Sequence, residues 1–282
     1  MQFPQRVAAT LANGMRDESL QHEKSLLRPI GQPTGDGIAT RPAGVGIVLD
    51  GVDYTVEGKP ILRELGFSVS ARRLGVIGRN GSGKSTLARL VAGLVVPTKG
   101  TCRVNGRDLA RDRKSAIAEV GILFQNPDHQ LIFPTVLEEM MFGLRQRGQT
   151  RTEAEAGAQQ ALSVFGKAHW ADAAVVSLSQ GQKHLLCLMA VVAMAPGLLV
   201  LDEPFAGLDA PTRMQLRRYL DLYAGAVLHI SHDPADFDSY DTMLWLDQGR
   251  IRDAGAPAAV LAAYSAEMTR LGAEDDISDL AG

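Results

Sequence analysis

The first sustained pattern of apolar positions begins near Val45. The stretches GIVLDGVDYTV, ILRELGFSVS and RRLGVIG read as three strands, the last running into a glycine-rich turn that opens a helix. In that helix Leu87, Leu90, Val91 and Leu94 recur at i, i+3, i+4 and i+7, which predicts one face buried against a sheet. TRTE at 150–153 is a capping-box pattern ahead of EAEAGAQQALSVF, and it predicts a helix in a helix-rich middle segment, about 126–180. A helix then covers about 181–195, LLVLD is a buried strand, APTRMQLRRYLDLY a helix and AVLHISH a strand. Such alternation implies an α/β fold whose parallel sheet is covered on both faces. Residues 1–44 carry GQPTGDG and RPAG with no sustained period and are expected to form a flexible extension. The folded unit is expected over 45–265, and an acidic, solvated tail over 266–282.

Composition narrows the classes. The chain of 282 residues is 45% hydrophobic and 22% charged, which allows one large or two modest domains with a sizeable core. A formal net charge of -3 offers no global attraction to nucleic acid. Cys102 and Cys187 stand in apolar surroundings at no metal-like spacing, so both are expected as buried, reduced thiols. The longest apolar run, LLCLMAVVAMAPGLLVL, is broken by Pro196 and Gly197 and ends on Asp202 and Glu203, which argues against a membrane span. The first residues lack an apolar stretch of signal-peptide type, so the chain is expected to be neither secreted nor membrane-spanning.

The chemistry concentrates in a few segments. Gly78 to Ser85, GRNGSGKS, matches G-x-x-x-x-G-K-[ST] between a strand and a helix. Gly78, Asn80, Gly81, Ser82 and Gly83 let backbone N–H groups approach phosphates, Lys84 reaches the outer phosphates, Ser85 can hold Mg²⁺, and Thr86 follows in the helix. Asp202 and Glu203 close a buried strand, where Asp202 can anchor the hydrated metal and Glu203 can polarise an attacking water as general base. LSQGQ sets Ser179, Gly181 and Gln182 at a second helix N-terminus, another place for an anion.

GRNGSGKS, LSQGQ and LLVLDEP, in this order over about 45–265, resemble the ATP-binding-cassette (ABC) ATPase family, whose usual second motif is LSGGQ; Gln180 departs from it. The resemblance implies a P-loop fold with a mixed or parallel core sheet, an antiparallel β subdomain and an α-helical subdomain. It also implies that Tyr54 stacks on adenine and that Gln125 contacts Mg²⁺ and the water region. Asp209 would lie across a dimer interface and His232 would contact the γ-phosphate. ATP and Mg²⁺ are the implied cofactors. The implied assembly is a pair of chains that encloses ATP between the phosphate loop of one and LSQGQ of the other.

No heptad-rich insertion separates the motifs, and no second cassette is present in the 282 residues, which argues against the chromosome-associated and tandem translation classes. QNPDHQLIFPTVLEE resembles the segment after the Q-loop in energy-coupling-factor (ECF) importers of vitamins and metal ions. By that resemblance Gln130, Leu131, Ile132 and Phe133 line a groove for an apolar helix of a transmembrane coupling subunit, with at least one of the three apolar residues also packing into the core. Asp128, Glu138 and Glu139 would meet arginines of that subunit. The run from Ser177 to Asp209 looks most like the ATPases dedicated to biotin importers, then those of cobalt or nickel importers. The implied function is ATP hydrolysis powering vitamin uptake. The chain would act as a homodimer, or paired with a related ATPase, on the cytoplasmic face of the membrane beside a substrate-binding membrane subunit.

Overall fold

The computed structural model describes residues 44–274 apart from Leu222 and Asp238. Residues 1–43, on which the expected extension over 1–44 falls almost entirely, and the last eight residues lie outside the described residues. Two sheets organise the rest. The smaller has the order β2-β1-β4, from β1 (Val45–Val56), β2 (Lys59–Ala71) and β4 (Lys99–Val104), all antiparallel. The larger has the order β5-β6-β7-β3-β8-β9. In it β5 (Val120–Leu123), β6 (Leu198–Asp202), β7 (Ala226–Ser231), β3 (Arg73–Ile77) and β8 (Thr242–Asp247) are parallel, and β9 (Arg250–Gly255) closes the edge antiparallel to β8.

Strand β6 shows why the sheet is covered twice. All five of its residues are buried, and successive side chains leave opposite faces. Leu198 and Val200 enter a core with helix α1 (Lys84–Val91) and the smaller sheet. Leu199 and Leu201 enter a second core with three helices, α3 (Val136–Gln146), α4 (Arg151–Val164) and α5 (Gln180–Ala193). Helix α1 thus fills the space between the two sheets. Helix α2 (Arg113–Glu119) leads into β5, and α6 (Ala210–Asp221) lies between β6 and β7 along the chain. A third cluster packs Val260 and Tyr264 of the last helix, α7 (Pro257–Glu274), on Trp245 of β8.

The capping box expected at 150–153 is present: Glu153 N–H donates to Thr150 Oγ1 and Thr150 N–H donates to Glu153 Oε2. Cys102 and Cys187 are buried free thiols, and burial pushes the Cys102 thiol up to about 12. Two expectations need correction. Leu94 does not belong to the buried stripe: Gly93 takes φ +71, Leu94 N–H donates to Arg89 O, and Leu94 is 55% exposed past the helix end. The antiparallel edge strand makes the sheet mixed, within the expected mixed or parallel core sheet, although the alternation of strands and helices alone points to a parallel one. Helix α7 runs through position 265, so the expected start of the tail at 266 falls inside a helix. Among the described residues no helix is long and apolar enough to cross a membrane.

His229 is buried on β7 among Phe205, Phe237 and Tyr240, with Nδ1 2.7 Å from the Tyr240 hydroxyl. Burial pushes its imidazole from 6.5 down to about 4. The unfolded chain therefore takes up a proton at this side chain below about pH 6.5, which the folded chain does not do until about pH 4. Its contribution to stability is complete above that window and falls by roughly 3 kcal/mol as pH drops through it. Denaturant titrations at pH 7 and pH 4.5 should show His229→Gln losing less stability than the natural chain; an equal loss in both would remove His229 as the cause.

Candidate nucleotide site and adjoining groove

Between β3 and α1 the backbone makes a tight turn that only glycine permits at two points. Gly83 has φ +102, and a Cβ there would stand 2.7 Å from Leu62 Cδ2. A Cβ on Gly78 would stand 2.2 Å from Leu246 O. Lys84, buried at the helix start, donates from Nζ to Gly78 O at 2.7 Å and Arg79 O at 3.0 Å. Asn80, Gly81, Gly83, Lys84, Ser85 and Thr86 line a cavity of about 820 Å³ together with Gln125, Glu203 and His232. Gly78 and Ser82 stand outside the lining, and Ser82 Oγ is buried without a hydrogen-bond partner. Free N–H groups at a helix start, one lysine and open volume make an anion-binding cradle.

The end of β6 supplies the carboxylates. Ser85 Oγ donates to Asp202 Oδ1 at 3.0 Å. Burial raises the Asp202 carboxyl above the ordinary range, an effect the Ser85 hydrogen bond partly offsets. Burial likewise lowers the Lys84 ammonium, with Glu203 opposing it. Glu203 Oε1 lies 3.5 Å from Lys84 Nζ, and Oε2 lies 2.9 Å from His232 Nδ1. One carboxylate thus joins the phosphate-loop lysine to the exposed histidine after β7. Its backbone is strained: Glu203 has φ +50, held by its N–H donating to Ile230 O at 2.9 Å. Ser85 lines the cavity and Asp202 stands buried behind it, and their oxygens are of the kind that suits a hard divalent cation.

Several expected residues lie elsewhere. Tyr54 is half-buried against the core under the smaller sheet and does not line the cavity; the pairing of β1 with β2 shifts register on either side of it. Lys59, Pro60, Ile61 and Arg63 of β2 line that wall instead, with Ala206 and Gln248. The basic pair Lys59 and Arg63 beside the hairpin turn was the available signal for this wall; Gln248 had none. Ser179, Gly181 and Gln182 open α5 away from the cavity, where Ser179 and Gln182 form a reciprocal capping box. Asp209 is exposed, and its Oδ1 accepts from Thr212 N–H at 3.1 Å. One chain therefore carries the two helix starts, at Lys84 and at Gln180, apart from each other.

The segment after Gln125 divides its residues sharply. Leu131 packs into the helical core, Ile132 is 64% exposed, and Phe133 sits with its ring 5.2 Å from that of Phe142. Phe133, Met141 and Phe142 line a groove of about 490 Å³ with Glu138, Arg145 and Arg151. Gln130 does not line it, since its Oε1 turns back to accept from Phe124 N–H at 3.2 Å. Asp128 and Glu139 are taken within the chain. Asp128 accepts from Lys183 Nζ at 2.7 Å, which holds its carboxyl below the ordinary range. Glu139 is buried and its Oε2 accepts from the N–H groups of Ile132 and Phe133, each at 2.9 Å.

Residues 62–206 match the family model described as ABC transporter. The chain belongs to the ABC transporter ATPase family. It binds and hydrolyses ATP as that family does. It is 46% identical over 215 residues to the biotin transport ATP-binding protein BioM of Rhodobacter capsulatus, covering 76% of this chain and 92% of the relative. It is 35% identical to the energy-coupling factor transporter ATP-binding protein EcfA1 of Lacticaseibacillus paracasei, covering 80% of this chain and 83% of the relative. Among solved structures, cbiO1 from Clostridium perfringens, part of the ABC transporter complex cbiONQ, superposes with a TM-score of 0.66 at 26% identity. The match covers 81% of this chain and 95% of that one.

In this ABC ATPase, Gly83→Ala should lower stability by about 1–2 kcal/mol, since an L residue is forced into the left-handed region against Leu62. An unchanged urea midpoint would show that the loop relaxes freely.

Proposed function

We propose that this chain is the ATP-hydrolysing subunit of an ECF-type importer that takes up a vitamin, biotin being the cargo that the name of the relative at 46% identity indicates. The observation that carries the reading is the pairing, in one chain, of the Glu203-centred cavity with the apolar groove at Phe133. Asn80, Gly81, Gly83, Lys84, Ser85 and Thr86 cradle the phosphates. Mg²⁺, held by Ser85, Asp202 and Gln125, would supply positive charge against the phosphate oxygens. Glu203 orients the attacking water and accepts its proton. His232, in hydrogen-bond contact with Glu203, keeps that carboxylate aimed into the cavity and faces the outer phosphate.

Ser179, Gly181, Gln182 and Asp209 are exposed or half-exposed and stand outside the cavity, which supports a twofold pair in which they complete the partner chain's nucleotide site. The family works through such dimers joined to membrane subunits. The groove takes an apolar helix face of a transmembrane subunit: Phe133, Met141 and Phe142 supply the apolar contact, and Glu138, Arg145 and Arg151 offer charges to its flanks. The pair sits on the cytoplasmic face of the membrane.

Glu203→Gln should slow hydrolysis by about 10²- to 10⁴-fold while ATP still binds and holds two chains together. Turnover near that of the natural chain would refute the base assignment. Phe133→Asp should release the membrane partner on detergent co-purification while ATP binding persists; retention of the partner would count against the groove. Biotin uptake by proteoliposomes of the assembled complex should require ATP inside and be abolished by Glu203→Gln, and another bound vitamin in the purified complex would replace biotin as the cargo.

A further inference from the structure

His184 is buried in the first turns of α5, and each of its ring nitrogens faces a backbone carbonyl. Nε2 lies 3.1 Å from Gln125 O, and Nδ1 lies 3.1 Å from Gln180 O. Two further contacts run beside it. Lys183 pairs with Asp128 at 2.7 Å, and Cys187 Sγ lies 4.0 Å from Pro127 O. Gln180, which stands where the family has glycine, brings an amide that also hydrogen-bonds Asp128. Gln125, Pro127 and Asp128 are therefore tied to the first two turns of the helix that begins with LSQGQ. On the other side, β5 is joined to β6 in the sheet by a parallel ladder that ends at Leu123.

We infer that His184 is a positioning residue: it fixes the backbone of Gln125 to the start of α5, so that the Gln125 side chain moves with LSQGQ and not with the sheet. The hinge between sheet and helices then falls at Leu123–Phe124, before Gln125. The imidazole suits the role because its ring is rigid, and with the proton on Nε2 it donates to the half-buried Gln125 carbonyl and satisfies an acceptor that would otherwise lack a partner. An apolar side chain of similar size would leave the half-buried Gln125 carbonyl without its partner on α5, free to withdraw from the cavity. Misplacement of a positioned group by about 1 Å is enough to reduce turnover strongly without touching the affinity for substrate.

This inference rests on the proposed role of Gln125 in the ATP site, and steady-state ATP hydrolysis by the full-length protein separates the two. His184→Leu should lower kcat about 10-fold with KM for ATP within about 2-fold, and His184→Gln, which keeps a donor for the carbonyl, should recover most of the rate. Thermal melting of both variants reports whether the fold survives, and His184→Gln keeps the test open if His184→Leu does not fold. Gln125→Ala is measured beside them. Loss of rate in Gln125→Ala with full rate in His184→Leu would overturn the tie and leave the role of Gln125 standing. An equal fall in both His184 variants, or a fall expressed in KM, would also overturn it. Full rate in Gln125→Ala would refute the role of Gln125 and the tie with it.

Discussion

The structure is organised around two carboxylates at the end of a strand that has no contact with water along its length. Every residue of β6 is buried, so Glu203 is delivered to the cavity, and Asp202 to Ser85 behind its wall, from the driest part of the molecule. A carboxylate there is costly unless something answers its charge. Ser85 answers Asp202 by hydrogen bond, and Lys84 and His232 answer Glu203 from two different elements. The sheet, the phosphate loop and the turn after β7 therefore converge on one point because each supplies a partner to that strand end. The left-handed backbone of Glu203 belongs to the same arrangement: the turn leaves the strand abruptly, so the side chain enters the cavity instead of continuing the alternation of β6.

What was legible in the sequence follows from how local each cause is. GRNGSGKS and LLVLDEP are contiguous, their spacing is dictated by a turn and a strand, and the structure places Asn80, Gly81, Gly83, Lys84, Ser85, Thr86 and Glu203 around one cavity. The Thr150 capping box is local in the same way. The position of Tyr54 outside the cavity lining was not legible, because register shifts flank it and those are set by pairing with a strand elsewhere in the chain. Leu94 fitted a helical stripe by number, but Gly93 ended the helix first. Asp128 and Glu139 looked available to a partner because their intramolecular partners, Lys183 and two backbone N–H groups, are invisible to periodicity. The edge strand β9 and the helix α7 went unread for lack of any chemistry-bearing residue to draw attention to them.

The triplet Leu131, Ile132 and Phe133 shows how one buried acid can shape a surface. Glu139 comes from the first turn of α3 and accepts the N–H groups of both Ile132 and Phe133, so two consecutive peptide planes are aimed inward at a single oxygen. Their side chains cannot then follow Leu131 into the core. Leu131 anchors the segment, Ile132 is left in solvent, and Phe133 reaches Phe142 across the groove. An apolar residue at position 139 would bury just as well, yet it would leave those donors without a partner and release the loop. Glu139 therefore serves the surface by being buried, which reverses the role its position in LEEMM suggests.

In the proposed reading this geometry bears on how far the cavity and the groove can act independently. Gln125 lines the cavity, and the residues that follow it are bound to α5 through Asp128 and His184. Helix α5 packs against α3 in the second core, and α3 holds the loop of Phe133 through Glu139. Apart from the exposed Asp128–Lys183 ion pair, each joint is either a side chain in a close-packed core or a hydrogen bond to backbone, and neither deforms gradually at low cost. A displacement of Gln125 by the nucleotide is then shared by α5, α3 and the groove together, whereas the ladder between β5 and β6 keeps Leu123 with the sheet. Rigidity on one side of Phe124 and a sheet on the other is what converts a change at the phosphates into a rotation of the helical layer, instead of a local adjustment absorbed by a loop.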